Sequence, residues 1–362
     1  MQRFAIFFLV IGLSACAGME SPPPPAVAGE VEVAVEVVQD DRYPREVSFP
    51  GGVRGLAGLV YWNPAGYRPL ALDLYLPPAM MERPPAGFPL VIRIHGGGWM
   101  SGDKHRSGPF VDFPGVLASV AARGYVVASI DYRLSAEARF PAQAHDVKAA
   151  IRWLRMNAAT YGIDPARAVT WGESAGGHLA ALAALSCDIE ALKPVAPAGD
   201  SGSALDVTAA PVSDCVQGSV AWSGVFDMST IAPQANTVQA LSREAPEAPE
   251  WRLLGCFADQ CRPEQLASAS PAAYVDPTDP PMLLIVGDQD ATIPFHQTLE
   301  MAKKLRSSGV RHELIVLRGV GHGFIGKTPD QTRDANRKAL AETIRFVDRT
   351  IGPGSPVLPN IK

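Results

Sequence analysis

The residues of this chain whose types and surroundings could do nucleophilic chemistry are Ser174, Asp290 and His322. Ser174 is the centre of Gly172-Glu173-Ser174-Ala175-Gly176, placed between a predicted strand, AVTWG at 168–172, and an Ala-rich helix running to Leu185. A G-x-S-x-G pentapeptide acts as a nucleophile turn only in that context, because its glycines permit a cramped strand-to-helix corner that projects the hydroxyl. A serine needs a base, and the base needs a carboxylate to hold its tautomer. Of the seven histidines, His95 precedes a run of glycines and reads as structural, and His178 is too near Ser174 along the helix to swing back. His105, His145, His296 and His312 fall at loops, helices or a strand start and read as solvated or capping residues. His322, in GVGHGF after the last strand, sits on a glycine-flanked loop from which an imidazole can reach over a sheet. Asp290 ends the strand PMLLIVGDQD and is the predicted acid, preferred to Asp288 in the same turn, and Asp227 is its rival at the end of the preceding strand.

A second constellation is His95-Gly96-Gly97-Gly98-Trp99, at the end of FPLVIRIHGG. Consecutive glycines let backbone N–H groups of Gly97 and Gly98 face a substrate. With the N–H of Ala175 they could hold the oxyanion of an acyl-transfer intermediate. A phosphate loop needs GxxxxGK[ST], whereas this stretch continues GWMSGDK. Trp99 beside the glycines and Glu173 beside the serine are candidates for the pocket wall.

These residues need strands that end at one edge of a sheet. LALDLYLP (70–77) alternates as a strand does, and 88–97, 125–134, 168–172, 218–227, 281–290 and HELIVLRG read as further strands. Helical spacing is found over 140–162, with Ala144, Val147, Ile151 and Leu154 on one face, and again in 174–185, 295–310 and 332–351. Asp164-Pro165 reads as a turn or helix start. Strands alternating with helices imply βαβ units and a mostly parallel sheet covered on both faces. One α/β domain over 45–354 fits best, since no polar linker divides it. Residues 187–217 are low in apolar periodicity, and 228–270 reads as an insertion over the sheet, polar and without a long apolar face.

With 362 residues, 47% hydrophobic and 19% charged, the chain has the composition of a globular protein. Lys+Arg of 32 against Asp+Glu of 37, with no basic run, argues against nucleic-acid binding. Residues 1–15 read as a bacterial lipoprotein signal: Arg3 precedes an apolar run from Phe4 to Leu13, too short for the roughly 20 residues of a membrane span. Leu13-Ser14-Ala15-Cys16 makes Cys16 the predicted acylated residue, and 16–44 a Pro-rich tether and N-terminal segment. The predicted location is the cell envelope, with membrane attachment through that anchor alone. Four cysteines remain, and an even number in an exported chain favours disulfides, here the local pairs Cys187 with Cys215 and Cys256 with Cys261. Neither zinc-ligand spacing nor HExxH occurs, and the expected chemistry needs no metal or cofactor.

HGGGW…GDK, DYRL, GESAGGHLAALAAL, GDQDATIP and GVGHGF, in that order over roughly 55–350, resemble the α/β-hydrolase esterases. They are especially similar to the acetyl-esterase and feruloyl-esterase-like branch related to hormone-sensitive lipase. The order Ser174, Asp290, His322 is the α/β-hydrolase order. The resemblance implies that fold and a serine carboxylesterase, with Gly97 and Gly98 as oxyanion donors and Asp131-Tyr132-Arg133 structural. Glu173 departs from the Asp of many hormone-sensitive-lipase-like members. The expected substrates are short-acyl esters, acetyl or feruloyl-type, of sugars or phenolics, small molecules or oligosaccharides. The alternatives are a prolyl-type serine peptidase, for which the N-terminal segment is too short to hold a propeller, and a non-catalytic binding protein on the same scaffold.

Overall fold

The computed structural model describes residues 45–194, 212–235, 245–257, 259–352 and 355. The chain divides into two units, Met1–Tyr43 and Pro44–Lys362, and every described residue belongs to the second. The expected signal, the tether and Cys16 lie outside the described residues.

Two antiparallel strands that the sequence reading did not single out open the sheet, the three-residue β1 (Glu46–Ser48) and the nine-residue β2 (Arg54–Trp62), followed by β3 (Leu70–Leu76). Then come β4 (Phe88–Ile94), β5 (Val126–Ile130), β6 (Ile163–Glu173), β7 (Gly218–Trp222), β8 (Met282–Gly287) and β9 (His312–Leu317). Their order is β1-β2-β3-β5-β4-β6-β7-β8-β9, antiparallel from β1 to β5 and parallel from there to β9. The strands β4, β5, β7 and β8 are buried along their whole length. That is why they read as continuous apolar runs, as parallel strands covered on both faces do.

Alternate residues of each strand serve opposite layers. Leu90, Ile92 and Ile94 of β4 pack with Val147, Ile151 and Leu154 of α2 (Ala142–Met156) and Leu179 of α4 (Ala175–Leu185). Val91 joins the other layer, with Leu117 of α1 (Phe113–Ala121) and Phe346 of α8 (Pro329–Ile351). Leu284 of β8 meets Leu305 of α7 (Phe295–Ser307). The mostly parallel, two-faced sheet and the α/β-hydrolase fold expected from the sequence are the fold observed.

Some boundaries differ. Asp164-Pro165 begins no helix: β6 runs through it, and Asp164 Oδ1 accepts the Ala166 N–H within the strand. The helix predicted over 140–162 breaks at Asn157 into α2 and the single turn α3 (Ala158–Tyr161), which ends at Gly162 in a left-handed conformation (φ 71°). Strand β5 stops at Ile130, and the side chain of Asp131 after it accepts from the Lys104 backbone N–H (3.0 Å) and ammonium (2.8 Å). Over 228–270 the described residues form two short helices, α5 (Pro249–Leu254) and α6 (Pro263–Ser268). This segment is no polar veneer, for Met228, Ile231, Trp251 and Leu253 are buried in the main core. Both local disulfides are present, Cys187–Cys215 and Cys256–Cys261.

Candidate active site

Ser174 stands between β6 and α4 at φ 53°, ψ −123°, a left-handed conformation costly for a residue with a side chain. The surroundings show why the flanking residues are glycines. A Cβ at Gly172 would lie 2.0 Å from the Gly176 oxygen, and one at Gly176 would lie 2.2 Å from the Ile94 oxygen. The corner is pressed between its own strand and β4, and it is pinned by the Ser174 N–H donating to the Trp222 oxygen at 2.8 Å.

His322 follows β9 and Asp290 follows β8, so both side chains come from loops beyond carboxyl ends of neighbouring strands. His322 Nδ1 lies 2.9 Å from Asp290 Oδ2. The other carboxylate oxygen accepts the N–H groups of Thr292 and Ile293, each at 2.9 Å. The Asp290 side chain is fully buried and the His322 ring one-quarter exposed, so the carboxylate is fixed and dry while the imidazole keeps an open side. With Nδ1–H given to Asp290, Nε2 is left as the acceptor nitrogen. The two rival carboxylates are occupied elsewhere. Asp288 accepts the Gly319 N–H at 2.7 Å, and Asp227 caps its own loop through the Ser229 N–H and hydroxyl.

Ser174, Ala175, His322, Gly97, Gly98, Trp99 and Glu173 all line one cavity of about 690 Å3. Gly97, at φ 110°, could not be replaced without a Cβ 2.1 Å from the Ser101 oxygen. Ala175 is the first residue of α4, so its N–H has no acceptor within the helix. The insertion closes the cavity from above with Glu247, Pro249 and Glu250, and Ile293 adds an apolar side.

Trp99 and Glu173, expected in the pocket wall, are there but are engaged behind it. Trp99 is 1% exposed, and its indole N–H donates to His178 Nδ1 at 3.2 Å, while His178 Nε2 bonds the Ala269 oxygen at 2.7 Å. Burial pulls the His178 pKa down to about 4, so this imidazole is a neutral strut between the glycine loop and the insertion. Glu173 accepts the Ser107 hydroxyl, the Gly108 N–H (3.0 Å) and an Arg93 N–H (3.3 Å). Arg93 is sealed under the site between Phe113 and Trp171. Burial lowers its pKa and the Glu173 charge opposes that. Sequence reasoning missed this tie between β4, β6 and the 107–108 loop, although Arg93, the one charge in the apolar strand FPLVIRI, was its signal. The other histidines lie off the site. His95 stacks on Tyr132 at 4.2 Å, and His105, read as solvated or capping, instead pairs with Asp73 at 3.0 Å, which raises its pKa.

The family model BD-FAE matches residues 72–305, and the dienelactone hydrolase family model matches 266–351. Esterase LipC of Mycobacterium tuberculosis is 33% identical over 67% of this chain and 55% of its own length. The chain spans about half the length of the first curated relatives it matches. A truncated carbohydrate esterase from gut microbiota is 27% identical, with a TM-score of 0.61 over 80% of this chain and 96% of that one. A thermophilic esterase of Thermogutta terrifontis, Est2 in a propionate-bound form, is 25% identical, with a TM-score of 0.62 over 85% of this chain and 97% of that one. A strained serine corner, a carboxylate-held histidine and a glycine loop around one cavity agree with these likenesses, and the chain belongs to the BD-FAE family of α/β-hydrolase serine esterases.

Proposed function

We propose that this chain is a serine carboxylesterase acting on short-acyl esters of sugars or phenolics. One observation carries the reading: Ser174, at φ 53°, opens on the same cavity as His322, whose Nδ1 lies 2.9 Å from Asp290. Ser174 Oγ attacks the ester carbonyl carbon as His322 Nε2 takes its proton, and buried Asp290 stabilises the imidazolium. The N–H groups of Gly97, Gly98 and Ala175, with the N-terminal dipole of the eleven-residue α4, hold the oxyanion. His322 then protonates the departing alcohol, leaving the acyl group on Ser174. Water, deprotonated by His322, attacks that acyl-enzyme and releases the acid.

The short-acyl preference is supported by the propionate-bound form of the Thermogutta esterase and by a cavity closed on one side by Pro249 and the buried Trp99. The sugar alcohol is supported by the carbohydrate-esterase likeness. The test is kcat/KM across 4-nitrophenyl acetate, butyrate, octanoate and palmitate. A maximum at acetate or butyrate is expected, and one at octanoate or beyond would replace this reading with a lipase.

The expected lipid anchor on Cys16 is part of the same proposal, supported by the signal-like sequence before it. No helix among the described residues is long and apolar enough to cross a membrane. Two or three acyl chains would hold the protein firmly to a membrane. Intact mass of the full-length protein should carry acyl groups on Cys16, and an unacylated Cys16 in a membrane fraction refutes the anchor.

A further inference from the structure

Beside the catalytic cavity lies a second cleft of about 450 Å3, formed where the Ser135–Arg139 loop meets the insertion. The two hollows share one wall. Glu247, Pro249 and Glu250 face the catalytic cavity, while Pro246, Trp251 and Arg252 face the second cleft. On its other side the cleft joins the glycine loop through the Ser135 N–H, which donates to the Trp99 oxygen at 2.7 Å. A substrate longer than one sugar therefore crosses this wall if it extends in that direction.

The charges on the two sides are opposite. Glu247 and Glu250 line the catalytic cavity together with Glu173, whose charge is already met by Arg93. Among the described residues the second cleft is lined by Arg139 and Arg252 and by no acid, and none of their carboxylates forms an ion pair with either. Glu137, the nearest acid on the loop, is held by Arg68 at 2.8 Å. Arg139 is also placed rather than loose. Its side chain lies across Gly255, where a Cβ would come within 2.4 Å of Arg139 Cδ and 2.7 Å of Cζ. Gly255, at φ 71°, ends α5, and the Cys256–Cys261 disulfide staples the turn that carries half-exposed Phe257 over the cleft.

We propose that this cleft is a subsite for a carboxylate-bearing part of the substrate, of which a uronic acid unit of a glycan ester is the fitting class. Two guanidinium groups recognise a carboxylate through charge-assisted hydrogen bonds, and the exposed Phe257 ring offers a face for the sugar. The acidic catalytic cavity repels the same group, so the charge pattern orients the chain with its neutral ester at Ser174. The inference rests on the esterase reading and names its substrate class.

The test compares acetylated xylo-oligosaccharides with and without a glucuronic acid branch, using the full chain and the R139Q/R252Q variant. The acidic oligosaccharide should gain on the order of tenfold in kcat/KM at low salt, about 1.4 kcal/mol, which two exposed ion pairs can supply together. The variant should lose that preference while hydrolysing 4-nitrophenyl acetate as the parent does. Equal or poorer turnover of the acidic oligosaccharide by the parent, with 4-nitrophenyl acetate still cleaved, overturns the subsite and leaves the esterase reading standing. A preference that survives in the variant also overturns it. No turnover of 4-nitrophenyl acetate by the parent would overturn the esterase reading and this proposal with it.

Discussion

At the scale of residues, position along the strands separates the candidates that look alike in sequence. Asp227, Asp288 and Asp290 all follow strands that end at the same edge of the sheet, yet only Asp290 has its carboxylate directed to His322, at 2.9 Å. Replacing it should therefore be costly in a way that replacing Asp227 is not. Asp290→Asn should lower the rate on the order of 10⁴-fold by leaving His322 in the wrong tautomer. Asp227→Asn, which keeps an Oδ1 to accept from the Ser229 N–H and hydroxyl, should have a far smaller effect. Rates of 4-nitrophenyl acetate hydrolysis for the two variants decide this, and a reversed pair of effects would move the acid to Asp227. Ser174, Asp290 and His322 were legible in the sequence because each stands at a strand-end motif with glycines around it. The Glu173–Ser107–Arg93 tie was not, because its members lie 66 and 80 residues from Glu173 and meet only in the fold, Arg93 through β4–β6 pairing and Ser107 through a loop.

At the scale of elements, α4 and the glycine loop are held to the insertion by one buried histidine. His178 is neutral because burial disfavours its charged form, and it already accepts the Trp99 N–H on Nδ1. Its folded pKa of about 4 lies below the unfolded value of 6.5. Its contribution to stability is therefore complete above pH 6.5 and is lost as pH falls from 6.5 through 4. A depression of that size corresponds to roughly 3 kcal/mol. Urea unfolding of the parent and of His178→Asn between pH 7 and 5 should show a steeper fall for the parent. Parallel curves would contradict the neutral-strut reading. The helices and parallel strands of this region were legible from periodicity because each buries a continuous face. The fine boundaries were not. Strand β6 continues past Asp164-Pro165 because Ile163 and Ala168 on either side pair with β4, and Asp131 at the end of β5 meets Lys104, neither contact being local in sequence.

At the scale of the whole molecule, a mostly parallel sheet brings the ends of β4, β6, β8 and β9 to one side, and the insertion closes a cavity over them. The sheet class was legible from strands alternating with helices, and the antiparallel start was not, since RGLAGLVYW has no clear alternation and pairs by contact with β3. The insertion was legible as an excursion, but its burial was not, because Met228 with Ile231 and Trp251 with Leu253 are stretches too short to show a period. All of this architecture serves one claim, that Ser174 is a nucleophile made reactive by His322 and Asp290. The most direct test is mass spectrometry of the chain after reaction with a 4-nitrophenyl alkylphosphonate, which traps an activated serine as a stable ester. One adduct per chain is expected, on the peptide carrying Ser174, with loss of esterase activity in step and with labelling abolished in His322→Ala. An adduct on another residue, or full activity remaining after Ser174 is labelled, would contradict it.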